Sequence, residues 1–303
     1  MYSMEAIDIT FLGTGSAIPT ISRNHNSIYF KYKERNFLVD CGEGTQRQIR
    51  KAKLNVCKIT DILITHFHGD HILGLPGLMH TMAKSGYKKE LMIYCPKNSG
   101  KIIKKYLDIT GVYEIKYKIN EVSGKFIDNK YFSISALALE HDVVCNGYRF
   151  EEKDRLRINK KKLSKLKIAG REIGKLTLGK NVKINGKIIN YKNITSLEKG
   201  RKVSFVFDTK PCNNVAKLVK GVDLAVMEGV FLGSTTQGKE MAKRYKHLTI
   251  EDAANAGKKG EVGELIMSHI SQRYEFKEKF LLKEAKKIFK KVRIASDFMK
   301  VSL

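Results

Sequence analysis

The run Thr65-His66-Phe67-His68-Gly69-Asp70-His71 places four side chains able to bind a metal ion within six positions. Three of the chain's eight histidines fall in it, a concentration that chance rarely yields. The run follows Ile62-Leu63-Ile64, a short apolar stretch that reads as a buried strand. At a strand end, residues two apart share a face, so His66 and His68 can converge on one ion. The turn at Gly69 can swing Asp70 and His71 toward a second. Imidazole nitrogen with carboxylate oxygen suits zinc, with manganese and iron as competitors.

Alternating strands and helices must position this cluster. Residues 7–12 read as a strand that ends in the turn Gly13-Thr14-Gly15-Ser16. Residues 27–33 and 36–40 read as two more strands, and 42–53 as a turn opening a helix. Further strands are expected at 92–95, 131–139, 204–207, 224–227 and 265–267, with a helix over 98–108. Phe276, Phe280, Leu281, Ala285, Ile288, Phe289 and Val292 recur at helical spacing and predict a core-facing helix. This mixture argues for layered α/β architecture.

The 303 residues carry 57 Lys and Arg against 31 Asp and Glu, a net charge of +26. Such a field attracts polyanions; nucleic acid is the leading partner class and an anionic membrane surface the second. Residues 151–202 concentrate it, with 17 basic and 5 acidic side chains and one aromatic, Tyr191. They read as a basic arm inserted into a single domain spanning 1–303. An apolar fraction of 42% excludes global disorder. No run approaches the roughly 18 apolar residues of a membrane helix, and Glu5 and Asp8 stand where a signal peptide needs positive charge. Cys41, Cys57, Cys95, Cys145 and Cys212 form no C-x-x-C pair, so neither a disulfide framework nor a cysteine zinc site is indicated. A soluble, cytoplasmic protein is expected.

H-x-H-x-D-H resembles the motif of the metallo-β-lactamase superfamily. The resemblance implies an α/β fold, a four-layer αββα sandwich with the inserted basic arm, and two zinc ions per subunit. It implies that His66, His68 and His141 hold one ion, that Asp70, His71 and His269 hold the other, and that Asp208 bridges them. His141, Asp208 and His269 each follow an apolar run, in agreement. Two ions so held lower the pKa of a shared water to near neutrality, which suits attack on phosphoryl or carbonyl centres.

Further segments narrow the choice. Phe11-Leu12-Gly13-Thr14-Gly15-Ser16, Pro19 with Arg23-Asn24, Asp40-Cys41-Gly42-Glu43-Gly44-Thr45-Gln46, His269-Ile270-Ser271-Gln272-Arg273-Tyr274 and Ala295-Ser296-Asp297-Phe298 are similar to the ribonuclease Z family, almost end to end. That family implies an endoribonuclease that removes the 3′ trailer of precursor tRNA, leaving a tRNA 3′-hydroxyl and a trailer 5′-phosphate. It implies Asp70 orienting or deprotonating the nucleophile, and His247, paired with Glu228, assisting the leaving oxygen. It further implies a homodimer in which the arm clamps tRNA, with Lys160, Lys161, Lys162, Lys165, Lys167, Arg171 and Lys175 as candidate RNA contacts. Two departures stand out: the arm lacks proline, and Ile21 occupies a position where the family often has lysine. The alternative is another hydrolase of the superfamily acting on small phosphodiesters or thioesters.

Overall fold

In the strand Ile7–Gly13, Ile7, Ile9 and Phe11 alternate with Asp8, Thr10 and Leu12, and almost every residue is buried. Burial on both faces is the mark of an inner layer. The computed structural model describes residues 5–303 apart from Lys167, Ala169 and Asn185. It divides into two units.

The first unit, residues 1–127, 134–150 and 202–303, holds two seven-stranded sheets. One combines β1 (Ile7–Gly13), β2 (Ser27–Tyr32), β3 (Arg35–Val39), β4 (Asp61–Leu63), β5 (Leu91–Cys95), β6 (Tyr117–Glu121) and the last strand, β18 (Lys300–Ser302), in the order β18-β1-β2-β3-β4-β5-β6. The other combines β7 (Gly124–Asp128), β8 (Phe132–Leu139), β9 (Cys145–Glu152), β14 (Lys202–Val206), β15 (Leu224–Glu228), β16 (Glu264–Ser268) and β17 (Val292–Ile294), in the order β17-β16-β15-β14-β9-β8-β7. From β3 to β6 the pairs are parallel, as they are from β14 to β17.

The sheets pack face to face. Phe30 of β2 meets Phe150 of β9 at 5.0 Å and Phe205 of β14 at 5.7 Å between ring centroids, both edge-on. On the outer face of the first sheet, Leu38, Ile62 and Ile93 pack against α1 (Thr45–Lys51), α3 (Leu75–Lys84) and α4 (Gly100–Ile109) through Ile49, Met79 and Ile103. On that of the second, Val206, Ala225 and Leu265 meet α8 (Asn213–Val219), α10 (Ile250–Lys259) and α11 (Glu278–Ile288) through Leu218, Ala254 and Leu281. This is the expected αββα sandwich. The Cys side chains are all free thiols. Among the described residues no helix is long and apolar enough to cross a membrane.

One expectation needs correction. Leu281 and Ala285 face the core, and Ile288 and Phe289 pack against it, but Phe276 and Phe280 do not. The helix begins only at Glu278, Phe276 lies before it with φ +62°, and both rings face solvent. Phe276 lies before the helix, so the helical spacing does not extend to it, and Phe280 lies within the first turn on the side facing away from the core. Val292 lies in β17.

The second unit comprises residues 128–133 and 151–201. Within it β10 (Arg155–Ile158) pairs with β13 (Thr195–Glu198), and β11 (Val182–Ile184) with β12 (Lys187–Ile189). α5 (Lys160–Lys165), α6 (Arg171–Thr177) and α7 (Tyr191–Ile194) complete it. Ile168, Leu176, Val182 and Ile194 form a small core of its own. Each of these four residues is separated from the others in sequence, which is why the region reads as an inserted arm rather than as core.

Candidate metal centre and active site

Parallel strands deliver the centre. Asp208 follows β14, Glu228 ends β15 and His269 follows β16, so all three stand along one edge of the second sheet. In the first sheet Asp40 follows β3, and 65–71 follow β4. Asp40, Asp208 and His269 take positive φ angles of 58°, 43° and 57°. This left-handed conformation, uncommon for residues with a Cβ, turns each side chain off the end of its strand. α2 (Gly69–Ile72) carries Asp70 and His71, and a Cβ on Gly42 would come within 2.5 Å of the Asp70 carbonyl, so glycine there lets the two loops close.

His66, His68, His141 and Asp208 converge, as do Asp70, His71, Asp208 and His269; within each group the donor atoms lie within 4.8 Å of one another. Asp208 belongs to both. All seven residues expected to bind metal therefore meet in one place, drawn from four separate segments that follow β4, β8, β14 and β16. The ring nitrogens His71 Nε2 and His269 Nε2 are 3.1 Å apart, and His141 Nε2 and His68 Nδ1 3.2 Å. Such nitrogens face each other only around a proton or a cation. His66 Nε2, Asp208 Oδ1 and His269 Nδ1 are buried without a hydrogen-bond partner among the described residues. Each orphan costs about 1–3 kcal/mol, which a shared cation removes. Burial holds His66 well below the usual histidine range, keeping it the neutral ring a metal needs. Burial alone would raise Asp208, but His269, His71 and His66 around it hold it well below the carboxylate range. The donor set fits a metal centre.

Outer partners fix the rings. Asp40, fully buried, accepts from His71 Nδ1 at 2.7 Å, from the Thr65 amide at 2.7 Å and from Asn26 Nδ2 at 3.0 Å. That is the carboxylate–histidine arrangement that selects a ligand's tautomer. Sequence reasoning assigned Asp40 no role; its only signal was its place at the end of a strand in the Asp40-Cys41-Gly42 segment. His141 Nδ1 lies 3.3 Å from the Lys246 carbonyl, and His66 Nδ1 3.0 Å from Thr65 Oγ1. Residues 14–24 and 295–297, from the two ends of the chain, brace each other as scaffold. Asp297 accepts from Thr14 Oγ1, the Asn24 amide and Gln48 Nε2, while the buried Arg23 guanidinium donates to Thr14, the Ala295 carbonyl and Glu278.

His247 stands beside this centre, with ring centroids 5.2 Å from His141 and 5.9 Å from His269. Its Nδ1 is 2.8 Å from Glu228 Oε2, and Glu228 Oε1 accepts the Thr209 amide at 2.6 Å. Burial would lower the His247 pKa, but the Glu228 and Asp208 carboxylates outweigh it and push it up to about 9. Asp208, Glu228, His247 and His269 also form a third cluster of metal-competent donors. The His247–Glu228 hydrogen bond already satisfies two of them, so this cluster has less need of an ion. Of the RNA candidates, Lys160, Lys161, Lys162 and Lys165 are exposed on α5 and Arg171 and Lys175 on α6 of the second unit, while Lys167 lies outside the described residues.

The fold matches that of the metallo-β-lactamase fold protein YhfI from Bacillus subtilis, with a TM-score of 0.70 at 17% identity over 99% of this chain and all of that one. The short form of human tRNase Z gives 0.69 at 24% identity, over 97% of this chain and 98% of that one. This is a metallo-β-lactamase sandwich with a metal centre at the strand ends. Residues 7–180 match the family described as "Anti-Pycsar protein Apyc1", a match that ends before Asp208, Glu228, His247 and His269. Similarity over the whole chain is more specific. Proteins named Ribonuclease Z from Clostridium tetani and Methanosarcina acetivorans are 38% and 33% identical, over 98% and 97% of both chains. One from Methanococcus maripaludis is 39% identical over 88% of each. The chain belongs to the ribonuclease Z family.

Proposed function

We propose that this protein is an endoribonuclease that removes the 3′ trailer from precursor tRNA. The observation that carries the reading is the His247–Glu228 pair beside the donor clusters, in a chain alike end to end to proteins named Ribonuclease Z. Two zinc ions, one held by His66, His68 and His141, the other by Asp70, His71 and His269, with Asp208 between, would supply Lewis acidity and a water of near-neutral pKa. The protein's own groups do the rest. Asp70 orients the attacking water and takes its proton. A new P–O bond forms as the P–O3′ bond breaks. His247, charged through Glu228, gives its proton to the departing 3′-oxygen. The products are a tRNA 3′-hydroxyl and a trailer 5′-phosphate.

The exposed lysines of α5 and α6, in a segment with an excess of 12 positive charges, suit contacts to tRNA phosphates. We assign that role to Lys160, Lys161, Lys162, Lys165, Lys167, Arg171 and Lys175. A homodimer would let one subunit's basic segment hold tRNA for the partner's centre. The free thiols suit the reducing cytoplasm. Incubating the purified protein with a trailer-bearing precursor tRNA and mapping both product ends tests the reading. The expected ends are those above. Turnover of small phosphodiesters with the precursor left intact would favour the alternative hydrolase.

A further inference from the structure

Phe276 bears two costs that the folded chain does not offset. Its backbone is left-handed, with φ +62°, a strained setting for a residue with a bulky side chain. Its ring is 76% exposed, so burial returns little. Ile21 is 98% exposed, and Ile18 and Phe280 also face solvent. These residues lie on two segments tied together. Ser22 donates to Glu275 through its hydroxyl at 2.8 Å and its amide at 3.2 Å, and Arg23 bonds Glu278 at 3.1 Å. Ile21 therefore stands next to one end of this tie and Phe276 next to the other.

One of these segments starts at the donor cluster, and the other is bridged to it there. Gly15 bridges both His25 and Ile270, and Ile270 follows the ligand candidate His269. Phe276 is seven residues beyond His269. The patch thus lies on the segment that carries the ligand candidate His269. Its charge points to the occupant. Glu275 and Glu278 are engaged by Ser22 and Arg23, which leaves exposed Arg273, Lys277 and Lys279 interleaved with the exposed rings. Aromatic faces set among cations suit single-stranded nucleic acid, whose bases stack while its phosphates are neutralised.

We propose that Phe276 and Phe280, with Ile21 beside them, form a stacking platform for unpaired nucleobases flanking the scissile phosphate. The platform rests on the ribonuclease reading above and adds to it a specificity determinant: a single-stranded 3′ end.

The test uses Phe276→Ala with Phe280→Ala, Phe276→Trp and Phe276→Gly in the full-length protein. The Ala pair should weaken binding of a short single-stranded RNA, read by fluorescence anisotropy, by roughly 5- to 150-fold for each base unstacked. It should raise KM for precursor tRNA similarly, while turnover of a small chromogenic phosphodiester stays unchanged. Phe276→Trp should retain affinity. Phe276→Gly should raise Tm by relieving the left-handed strain and still weaken RNA binding, which a purely structural residue would not do. On a precursor with abasic nucleotides beside the cleavage site, wild-type and Ala pair should bind alike. Unchanged RNA affinity in the Ala pair, or an equal loss on the abasic substrate, overturns the platform. So does a dimer in sedimentation that dissociates in the Ala pair with RNA affinity per subunit intact; the patch would then be a subunit interface. If the wild-type fails to cleave precursor tRNA, the ribonuclease reading falls, and the oligonucleotide arm still decides the platform.

Discussion

Glu228→Gln separates the charge of Glu228 from its shape. Glu228 is fully buried; Oε1 accepts the Thr209 amide and Oε2 accepts His247 Nδ1. A glutamine carbonyl replaces Oε1 at Thr209, so its amide group must face His247 and donate to Nδ1. The ring is still held, but the negative charge 2.8 Å away is gone. An opposite charge at that range raises a histidine pKa by about 1–3 units, or about 1.4–4 kcal/mol. From about 9, the His247 pKa should fall to roughly 6–8. Bound divalent ions lower both values, so the difference between the two proteins is the quantity to measure. The acid must carry its proton, so the rate falls as pH rises through this pKa. Removing the carboxylate therefore moves the alkaline limb to lower pH by about 1–3 units. Single-turnover cleavage of precursor tRNA, followed between about pH 5.5 and 10 with metal content measured in parallel, reads the limb directly. An unmoved limb in a folded, metal-replete Glu228→Gln protein would refute both the acid and its charging by Glu228. Loss of metal would instead assign Glu228 to the ligand set, as the third donor cluster permits.

Four other outcomes are expected. His247→Ala should lower kcat by roughly 10²–10⁴-fold with metal content intact, the usual scale of general acid catalysis; a variant that loses metal would make His247 a ligand. Asp40→Asn should weaken metal affinity by about 10–100-fold in competition with a chelating dye, because His71 loses the carboxylate that selects its tautomer. Stripping metal should abolish cleavage and added zinc or manganese restore it, whereas Asp208→Ala should lose or uncouple both ions when titrated calorimetrically, since it belongs to both donor groups. Replacing residues 159–194 by a short linker spares the β10–β13 ladder and should flatten the log–log salt dependence of tRNA binding by roughly 3 units, about four phosphate contacts at ~0.7–0.9 each. Turnover of a small phosphodiester should persist in that deletion.

The metal cluster was legible because its information is local. His66, His68, Asp70 and His71 sit within six residues, and the apolar run before them announces a strand end. The sandwich was legible for a related reason: strands buried on both faces show as short apolar runs, and resemblance to a family supplied their order. Asp40 was not legible as a functional residue. Its partner His71 is 31 positions away, and an aspartate after a strand looks the same whether it braces a ligand or caps a loop. The core of the second unit was hidden likewise, because Ile168, Leu176, Val182 and Ile194 are each isolated among polar residues and become a cluster only when the chain folds back.

Residue type and short-range spacing determined what chemistry the chain holds: imidazoles and carboxylates enough for a metal centre, a strand to carry the first of them, and a basic segment for a polyanion. Tertiary structure decided which groups meet. Asp208, Glu228 and His269 become neighbours because β14, β15 and β16 run parallel and end at one edge. Asp40, Asp208 and His269 are turned off their strands by left-handed backbone angles that the packed loops around them hold in place. Phe276 and Phe280 show the converse. Their spacing is that of a buried helix face, yet Phe276 stands before the helix in a left-handed conformation and Phe280, inside its first turn, faces away from the core. Periodicity records which residues would share a face if an element continued; only the packed chain determines where the element begins and ends.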